Sequence, residues 1–275
     1  MSTESDPPLW TDIAANLTSS QFRDDRARVI ERAVAAGVRR MVVLGLDADD
    51  SGRALELARA HPEHLKATAG CHPHSCAEFT AEHVERIRGW VSSGEAVAVG
   101  ECGLDFNRNW GGQQAQRDCF QAQLDLAAEL EAPLYLHERD AHEALMEMVL
   151  PLRDRLGPVV VHCFTGTEAA LRAYLDADFH VGVTGWIADE RRGKHLVEAV
   201  RLVPENRLMV ETDAPYLLPR SMPDSAKVRP GSRRNEPAYL TWVGEAVAGA
   251  RGVTPAVLAQ QTTATAAEFF GWPTA

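Results

Sequence analysis

The sequence predicts an α/β fold, a TIM-type barrel in which each of eight parallel strands is followed by a helix. Three observations lead to this prediction. The chain has 275 residues, which suits one large domain. Short runs rich in Val, Leu and Ile alternate with longer segments of helical period, and eight such runs stand about 22 to 38 residues apart. Runs that are apolar throughout predict strands buried on both faces, as in a parallel sheet covered by helices.

The candidate strands are, in chain order, WTDIAANL, RRMVVLGL, LKATAG, AVAVGE, APLYLH, PVVVH, HVGVTG and RLMVE. Amphipathic segments lie between them. In the first of these, SQFRDDRARVIERAVAAG, Phe22, Val29 and Ile30 share one face, while Ser20 can begin the helix and Gly37 can end it. Residues 236–270 predict two closing helices.

The alternative architecture is an open, doubly wound sheet. Such a sheet would be expected to carry a glycine-rich phosphate loop after its first strand, and WTDIAANLTSS contains no glycine. We find no linker that would divide the chain. The prediction is therefore a flexible extension over residues 1–9 and a single barrel domain over residues 10–275.

Composition and charge narrow the class of protein. The net charge of −11 argues against a protein that coats nucleic acid nonspecifically, because such binding depends on Lys and Arg at phosphates. It still allows a nuclease with a local basic rim. Residues 220–237 are the candidate rim, with a solvated loop as the alternative, and they carry five basic residues: Arg220, Lys227, Arg229, Arg233 and Arg234.

No stretch approaches the roughly 20 consecutive apolar residues of a membrane span, and the N-terminus MSTESDPPL lacks the order of a signal peptide. We therefore expect a cytoplasmic protein that does not engage membranes. The five cysteines form an odd count at irregular spacing, so we expect them to be reduced. No oligomer interface is evident, and a monomer is the default expectation.

Polar side chains follow several of the predicted strands. Glu101, His137, His162 and Asp213 stand at the ends of the fourth, fifth, sixth and eighth strands, and the third ends in GCHPH. In a barrel of parallel strands these ends meet at one face, where the chemistry takes place. A buried carboxylate costs several kcal/mol unless a cation or strong donors compensate it. The four residues together therefore predict a divalent-metal site, although each one alone would more often be structural.

The chain resembles the TatD family of metal-dependent deoxyribonucleases. The resemblance covers about residues 10–271 and is carried by long motifs: NLTSSQF (16–22), GCHPH (70–74), GECGLDFNRN (100–109), RDAHE (139–143), HCFTGT (162–167), TGW followed by DERRG (184–193), ETDAPYLLPR (211–220) and SRRNEPA (232–238). It implies a barrel of the metal-dependent hydrolase superfamily. It also implies a magnesium-dependent nuclease that trims single-stranded DNA or RNA from the 3′ end, with a part in DNA repair or degradation.

The resemblance also implies roles for individual residues. Glu101, His137 and His162 match the family's metal ligands, and Asp213 matches the catalytic carboxylate, which we also count among the ligands. His72, together with His74, matches the pair expected near substrate. We expect Mg²⁺, with Mn²⁺ and Zn²⁺ as alternatives.

One departure from the family concerns the first strand. Many relatives continue it as Asp-x-His-x-His and so supply two ligands to a second metal, whereas this chain has Asp12, Ala14 and Asn16 at the corresponding positions. Ala14 cannot bind a metal, and Asn16 offers only a weak oxygen donor. We therefore expect one firm site and a second that is weak or is filled only with substrate.

The expected mechanism assigns proton acceptance to Asp213, and phosphate binding or protonation of the leaving oxygen to His72 and His74. The backbone at Thr165 and Gly166 is expected to open a helix whose amides hold a phosphate, with an ordinary helix start as the alternative. Arg234, on the basic segment, is expected to contact substrate.

Two other functions fit the same residues. One is an ester or amide hydrolase, such as a deacylase of mischarged D-aminoacyl-tRNA, because the fold does not fix the substrate. The other is a binding protein that has lost catalysis, for which Ala14 is the only support. The products released from labelled DNA and from aminoacyl-tRNA separate these functions.

Overall fold

The computed structural model of the chain describes residues 8–191 and 193–273. Residues 1–7 of the predicted flexible extension, and Arg192 of the DERRG motif, lie outside that part. The strands are β1 (Trp10–Ala15), β2 (Val38–Val43), β3 (Leu65–Ala69), β4 (Ala96–Asp105), β5 (Leu134–Arg139), β6 (Val159–Val161), β7 (Phe179–Val183) and β8 (Leu208–Val210).

The helices are α1 (Arg26–Ala35), α2 (Ala48–Ala60), α3 (Ala81–Ser92), α4 (Gln113–Leu130), α5 (His142–Val149), α6 (Glu168–Asp176), α7 (Lys194–Leu202), α8 (Leu240–Arg251) and α9 (Pro255–Phe270). The last two are the closing helices that the sequence predicts. Across the described residues, we find no helix with the length and apolar character needed to cross a membrane.

The eight strands form one sheet in the order β1 to β8, and every neighbouring pair is parallel. The segment after β8 then returns to β1. Ala15 and Ala214 form a parallel bridge, Asn16 N–H donates to the Ala214 carbonyl at 2.8 Å, and Asp213 N–H donates to the Ala14 carbonyl at 2.9 Å. The predicted barrel is therefore confirmed, and it closes next to residues of the candidate site.

Apolar side chains fill the barrel interior. Ile13, Val42, Ala98, Tyr135 and Val160 come from five strands and form one buried cluster. The Tyr135 hydroxyl crosses the interior and donates to the carbonyl of Ile13 at 3.0 Å. Most of the other apolar strand residues belong to a second, larger cluster that also contains the buried faces of the helices. Burial on both faces is why the strands are mainly apolar, and the few buried polar side chains inside them include Asp12 on β1 and Glu101 on β4.

The first helix begins later than the sequence predicts. Ser19 caps a short 3₁₀ turn over Ser20–Phe22, and α1 starts only at Arg26. Asp25 stands at the N-cap position, but its side chain accepts no capping hydrogen bond from the backbone of the helix. The Asp25 carboxylate instead pairs with the side chains of Arg32, on α1 itself, and of Arg234, as described below. The predicted end of the helix is correct, because Gly37 follows with φ +90.

Candidate metal centre

Three neighbouring strands bring polar side chains to one point inside the barrel mouth, although Glu101 lies within β4, which continues to Asp105, and not at its end as the sequence predicts. Glu101 lies on β4, His137 lies on β5, and His162 follows β6 directly. Glu101 Oε1 lies 2.8 Å from His137 Nδ1 and 2.7 Å from His162 Nε2. Glu101 is only 3% exposed, so its carboxylate is buried among these groups. The structure thus brings together three of the four residues predicted to hold a metal.

Two glycines of the GECG motif explain how Glu101 enters this space. A side-chain carbon at Gly100 would lie 2.3 Å from the carbonyl oxygen of Tyr135, and one at Gly103 would lie 2.1 Å from that of His137. Both glycines have a positive φ, and the register of β4 against β5 shifts here. Only glycine allows this close approach of the two strands, which seats Glu101 beside His137.

A third imidazole, that of His72, faces the same carboxylate. His72 follows β3, and its Nε2 lies 3.4 Å from Glu101 Oε1 and 3.3 Å from His137 Nδ1. One potential ligand atom from each of these three residues lies within 4.8 Å of the others. Spacing alone would therefore allow His72 to be a metal ligand as well, in addition to the substrate role that the sequence predicts.

The hydrogen bonds of His72 argue for a donor instead. Its Nδ1 accepts the backbone N–H of His74 at 3.1 Å. Burial, opposed in part by the charge of Glu101, lowers the pKa of His72 to about 4, so the ring is neutral near pH 7. A neutral imidazole whose Nδ1 accepts carries its hydrogen on Nε2. His72 therefore points an N–H, and not a lone pair, at the centre of the site.

The other two histidines have carboxylates behind them. His162 Nδ1 lies 3.5 Å from Glu211 Oε1, and His137 Nε2 lies 3.6 Å from Asp105 Oδ2. Glu211 is fully buried and also accepts the Tyr135 hydroxyl at 3.2 Å. These separations are longer than hydrogen bonds, but a carboxylate on this side of each ring favours an N–H that faces away from the centre and a lone pair that faces it, the usual orientation of a metal-ligating histidine.

The sequence indicated the two carboxylates, those of Glu211 and Asp105, to different degrees. Glu211 stands at the end of β8 and is visible as a strand-end acid, but its role behind His162 was not predicted. Asp105 was not predicted at all, although it lies in the GECGLDF motif only four residues after Glu101. A spacing of four along a strand puts both side chains on the same face of the sheet, and this was the available signal.

The electrostatics of the site suit a cation. Burial raises the pKa of Glu101, but the charge of His162 and the hydrogen bonds of His137 and His162 outweigh it and hold that pKa well below its usual value. Burial lowers the pKa of His162, yet Glu101 and Glu211 raise it well above normal. Positive charge on an imidazole thus balances the charge of the buried carboxylate. In metal sites of this composition, a divalent cation supplies that positive charge instead. Glu101, His137 and His162 fit such an ion.

Asp213 stands beside this group, in the loop after β8. Its Oδ1 accepts the Asn16 side-chain N–H at 2.9 Å. Burial raises the pKa of Asp213 to about 7, the charge of His162 opposes the rise, and those of Glu101 and Glu211 add to it. Asp213 is therefore coupled electrostatically to the metal ligands and titrates where a general base is useful.

Two polar residues of β1 position the Asp213 loop. Asn16 directs its amide nitrogen, not its oxygen, at Asp213. Asp12 accepts the backbone N–H of Thr212 at 2.9 Å, and burial raises the pKa of Asp12 to about 8. Ala14 is fully buried and contributes backbone groups alone: its N–H donates to Asp12 Oδ1 at 3.2 Å, and its carbonyl accepts from Asp213 N–H. The predicted second metal stays a prediction, but these contacts give Asn16 a role as a donor and not as the weak oxygen ligand expected from the sequence.

Thr165 and Gly166 lie in the loop before α6. Thr167 caps that helix through the Ala170 N–H, so the two residues precede its first turn and do not belong to it. They line a cavity of about 550 Å³ together with Arg139. The arrangement is that of the ordinary helix start named as an alternative, and phosphate binding by these two residues stays a prediction.

Arg234 is occupied by acidic side chains. Its guanidinium donates to both oxygens of Asp25 at 2.8 Å, to Glu236 at 2.6 Å and to the carbonyl of Gln21 at 2.8 Å. Arg32 pairs with the same two acids. These contacts favour a structural role for Arg234 over the substrate contact that the sequence predicts.

We expect Arg234→Ala to lower the free energy of unfolding by about 3 kcal/mol near neutral pH, because it leaves the partly buried Asp25 and the buried Glu236 with Arg32 as their remaining shared cation. The Arg234 hydrogen bond lowers the pKa of Asp25 to about 2. A depressed carboxyl pKa stabilises the fold above the unfolded value and loses this effect as the pH falls, so the difference from wild type should shrink between about pH 4 and pH 2. Denaturant unfolding at several pH values measures it.

The matched control is Arg233→Ala, since Arg233 is an exposed neighbour on the same loop. Its effect should stay within about 0.5 kcal/mol. A stable Arg234→Ala variant with impaired cleavage would contradict the structural role and restore the predicted substrate contact.

Known proteins are similar in sequence to nearly the whole of this chain. The chain matches the family described as TatD related DNase over residues 11–271. It is 48% identical over 260 residues to a Pantoea ananatis protein named 3′-5′ ssDNA/RNA exonuclease TatD, covering 94% of this chain and 98% of that one. A Salmonella typhimurium protein of the same name is 46% identical over 259 residues, covering 94% and 98% of the two chains.

Solved structures are similar over the whole barrel. A TatD family hydrolase from Entamoeba histolytica has a TM-score of 0.86 at 21% identity, covering 98% of this chain and 100% of that one. A TatD homologue from Escherichia coli has a TM-score of 0.83 at 25% identity, covering 96% and 98%. The first of these likenesses concerns the fold alone.

Proposed function

The chain belongs to the family of TatD-related DNases, and from this premise we propose that it is a metal-dependent exonuclease that removes nucleotides from the 3′ end of single-stranded DNA or RNA. The observation that carries the proposal is the buried Glu101 carboxylate with His137 and His162 at 2.8 and 2.7 Å. Relatives 46–48% identical bear the name of such an exonuclease.

In this proposal Glu101, His137 and His162 hold the ion, which is Mg²⁺, with Mn²⁺ or Zn²⁺ as alternatives. When bound, a divalent cation polarises a phosphodiester oxygen and acidifies water. Asp213 accepts the proton of the attacking water, since a carboxylate with a pKa near the working pH is an efficient base. Asn16 holds the accepting carboxylate in place through its bond to Oδ1.

His72 and His74 form the donor side of the proposed site. His72 presents its Nε2 hydrogen beside Glu101, where a phosphate oxygen or the leaving oxygen can accept it. The His74 ring packs against the His72 ring at 4.3 Å, and His74 Nε2 lies 2.6 Å from Asp105 Oδ2. Asp105 thereby orients His74, and the same carboxylate lies 3.6 Å behind His137 Nε2. A cytoplasmic location, a monomeric state and a part in DNA repair or degradation complete the proposal.

The test follows the products of wild-type protein. A single-stranded oligonucleotide labelled at its 5′ end should shorten stepwise and release mononucleotides with Mg²⁺, and should stay intact with a chelator. Blocking the 3′ end with a non-hydrolysable linkage should stop the reaction, whereas blocking the 5′ end should not. Release of an amino acid from aminoacyl-tRNA, with the RNA left intact and no mononucleotides formed, would overturn the exonuclease and support the deacylase.

A further inference from the structure

We propose that Trp110 is a stacking platform for the base of a nucleotide that adjoins the scissile phosphate, an inference that rests on the proposed function. Among the Phe, Tyr and Trp residues of the described part, only Trp110 and Tyr216 are exposed, at 54% and 50%. They follow β4 and β8, which stand opposite each other in the barrel. The exposed aromatic rings thus both lie at the mouth, and the described part of the surface offers none elsewhere.

The indole lies next to the donor side of the site. The ring centroids of Trp110 and His74 are 4.4 Å apart, and the His74 ring lies 4.3 Å from His72 and 6.2 Å from His137. Trp110 is therefore one ring removed from His72, which faces Glu101. A phosphate that reaches the site brings its adjoining bases to this rim.

The loop holds Trp110 in place. Its carbonyl accepts the side-chain N–H of Gln116 at 3.0 Å, and the same amide also donates to the carbonyl of Asp105 at 3.0 Å. The next two residues, Gly111 and Gly112, have φ values of +75 and +84, which suit glycine and turn the chain away. A ring on a fixed backbone loses little freedom when a base stacks on it.

Stacking explains an exposure that packing does not. Exposing about half of the Trp110 side chain to water costs free energy, and Trp110 belongs to neither of the two core clusters described above. Every base offers a flat face, so an aromatic platform binds single strands with little sequence preference. A paired duplex keeps its bases stacked on each other, so the platform also favours single-stranded ends.

The alternative role for Trp110 is to support the His74 ring, and the experiment separates the two roles by removing the base as well as the indole. We measure kcat and KM for wild type, Trp110→Ala, Trp110→Leu and Trp110→Phe on single-stranded DNA. Parallel substrates carry one abasic site at the terminal, the penultimate or the sixth position from the 3′ end. The leucine variant keeps an apolar contact for His74 but has no aromatic face.

On intact DNA we expect Trp110→Ala and Trp110→Leu to raise KM about 5- to 100-fold with little change in kcat, and Trp110→Phe to stay close to wild type. An abasic terminal or penultimate position should raise the wild-type KM by a similar factor and remove most of the difference between the variants. An abasic sixth position should leave that difference intact.

The same KM ratio between Trp110→Ala and wild type on all substrates would overturn the inference, because support of His74 does not depend on a base. A large fall in kcat with KM unchanged would overturn it too. Wild-type protein that releases no nucleotides would refute the proposed function and this inference with it, whereas active protein with uniform ratios refutes the inference alone.

Discussion

Glu101→Gln is expected to lower cleavage of single-stranded DNA by about 1,000-fold or more and to abolish the stabilisation that a divalent cation gives the wild-type chain. The substitution keeps the shape of the side chain but removes its charge. Glu101 Oε1 is the atom that His137 and His162 both approach, so the amide withdraws the ligand group that the other two share. Gel-resolved cleavage rates and thermal unfolding measure the two effects.

Thermal unfolding tests metal binding by Glu101 separately from catalysis. An ion present at about 100 times its Kd stabilises the native state by about 2.7 kcal/mol, which raises Tm by about 5 °C in a chain of this length. Wild-type protein should show this rise with Mn²⁺, and Glu101→Gln should not. Glu129→Gln removes the same charge from an exposed position on α4 and serves as the control. An undiminished Tm shift in Glu101→Gln would remove Glu101 from the metal centre.

The fold was predictable because its signal is local and repeated. Each strand is buried on both faces, so eight apolar runs in regular alternation with helices specify the barrel without any long-range information. The start of α1 was not predictable in the same way. Ser20 has the local chemistry of a cap, but Asp25 pairs with Arg234, which lies 209 residues away, and the helix begins after that contact.

Some features of the candidate site were likewise predictable from the sequence, and others were not. Glu101, His137 and His162 follow from topology, since the carboxyl-terminal parts of parallel strands lie on one face and their side chains meet there. The orientation of His72 depends on one backbone N–H, and the carboxylate of Asp105 acts through a histidine on another strand. Such contacts are fixed in three dimensions, so residue type alone cannot distinguish a ligand from a donor or a buried partner.

The basic segment illustrates the limit of charge as a predictor. Residues 220–237 form the most basic stretch near the mouth, yet several of their cations pair with acids of the same protein: Arg220 with Asp189, Lys227 with Asp224, Arg229 with Asp25, and Arg234 with Asp25 and Glu236. A count of the charges in this segment includes the cations but does not show which acidic side chains lie next to them in the folded chain. The rim is consequently less available to phosphates than its composition indicates.

Asp213→Asn carries the second large expected effect, a fall in kcat of about 100- to 10,000-fold with KM changed by less than about threefold. The carboxylate accepts a proton during the reaction and contributes little to holding the substrate. Asparagine keeps an oxygen that can accept the Asn16 N–H, so the loop should stay in place. Asp224→Asn, an exposed change on the basic segment, is the control.

The pH profile tests the same role. Asp213 must be ionised to accept a proton, so wild-type kcat should fall about tenfold per pH unit on the acid side of its pKa. Burial sets that pKa to about 7 in the protein alone, and a bound cation moves it lower. The acid limb should therefore lie below about pH 7 and be absent from Asp213→Asn. An identical acid limb in the variant would assign the base to another group.

As the pH rises, the free energy of unfolding of the metal-free wild type should fall, whereas the activity of the wild type should rise. A carboxyl whose pKa rises from 3.8 to about 7 on folding favours its proton in the native state, so ionisation destabilises the fold as the pH rises through this window. The difference is worth up to about 4 kcal/mol above pH 7. Asp213→Asn does not bear that cost, so without metal it should be more stable than wild type near pH 8 and equal to it near pH 4. A less stable variant near pH 8 would show that the carboxylate supports the fold, and its loss of activity would then not identify a base.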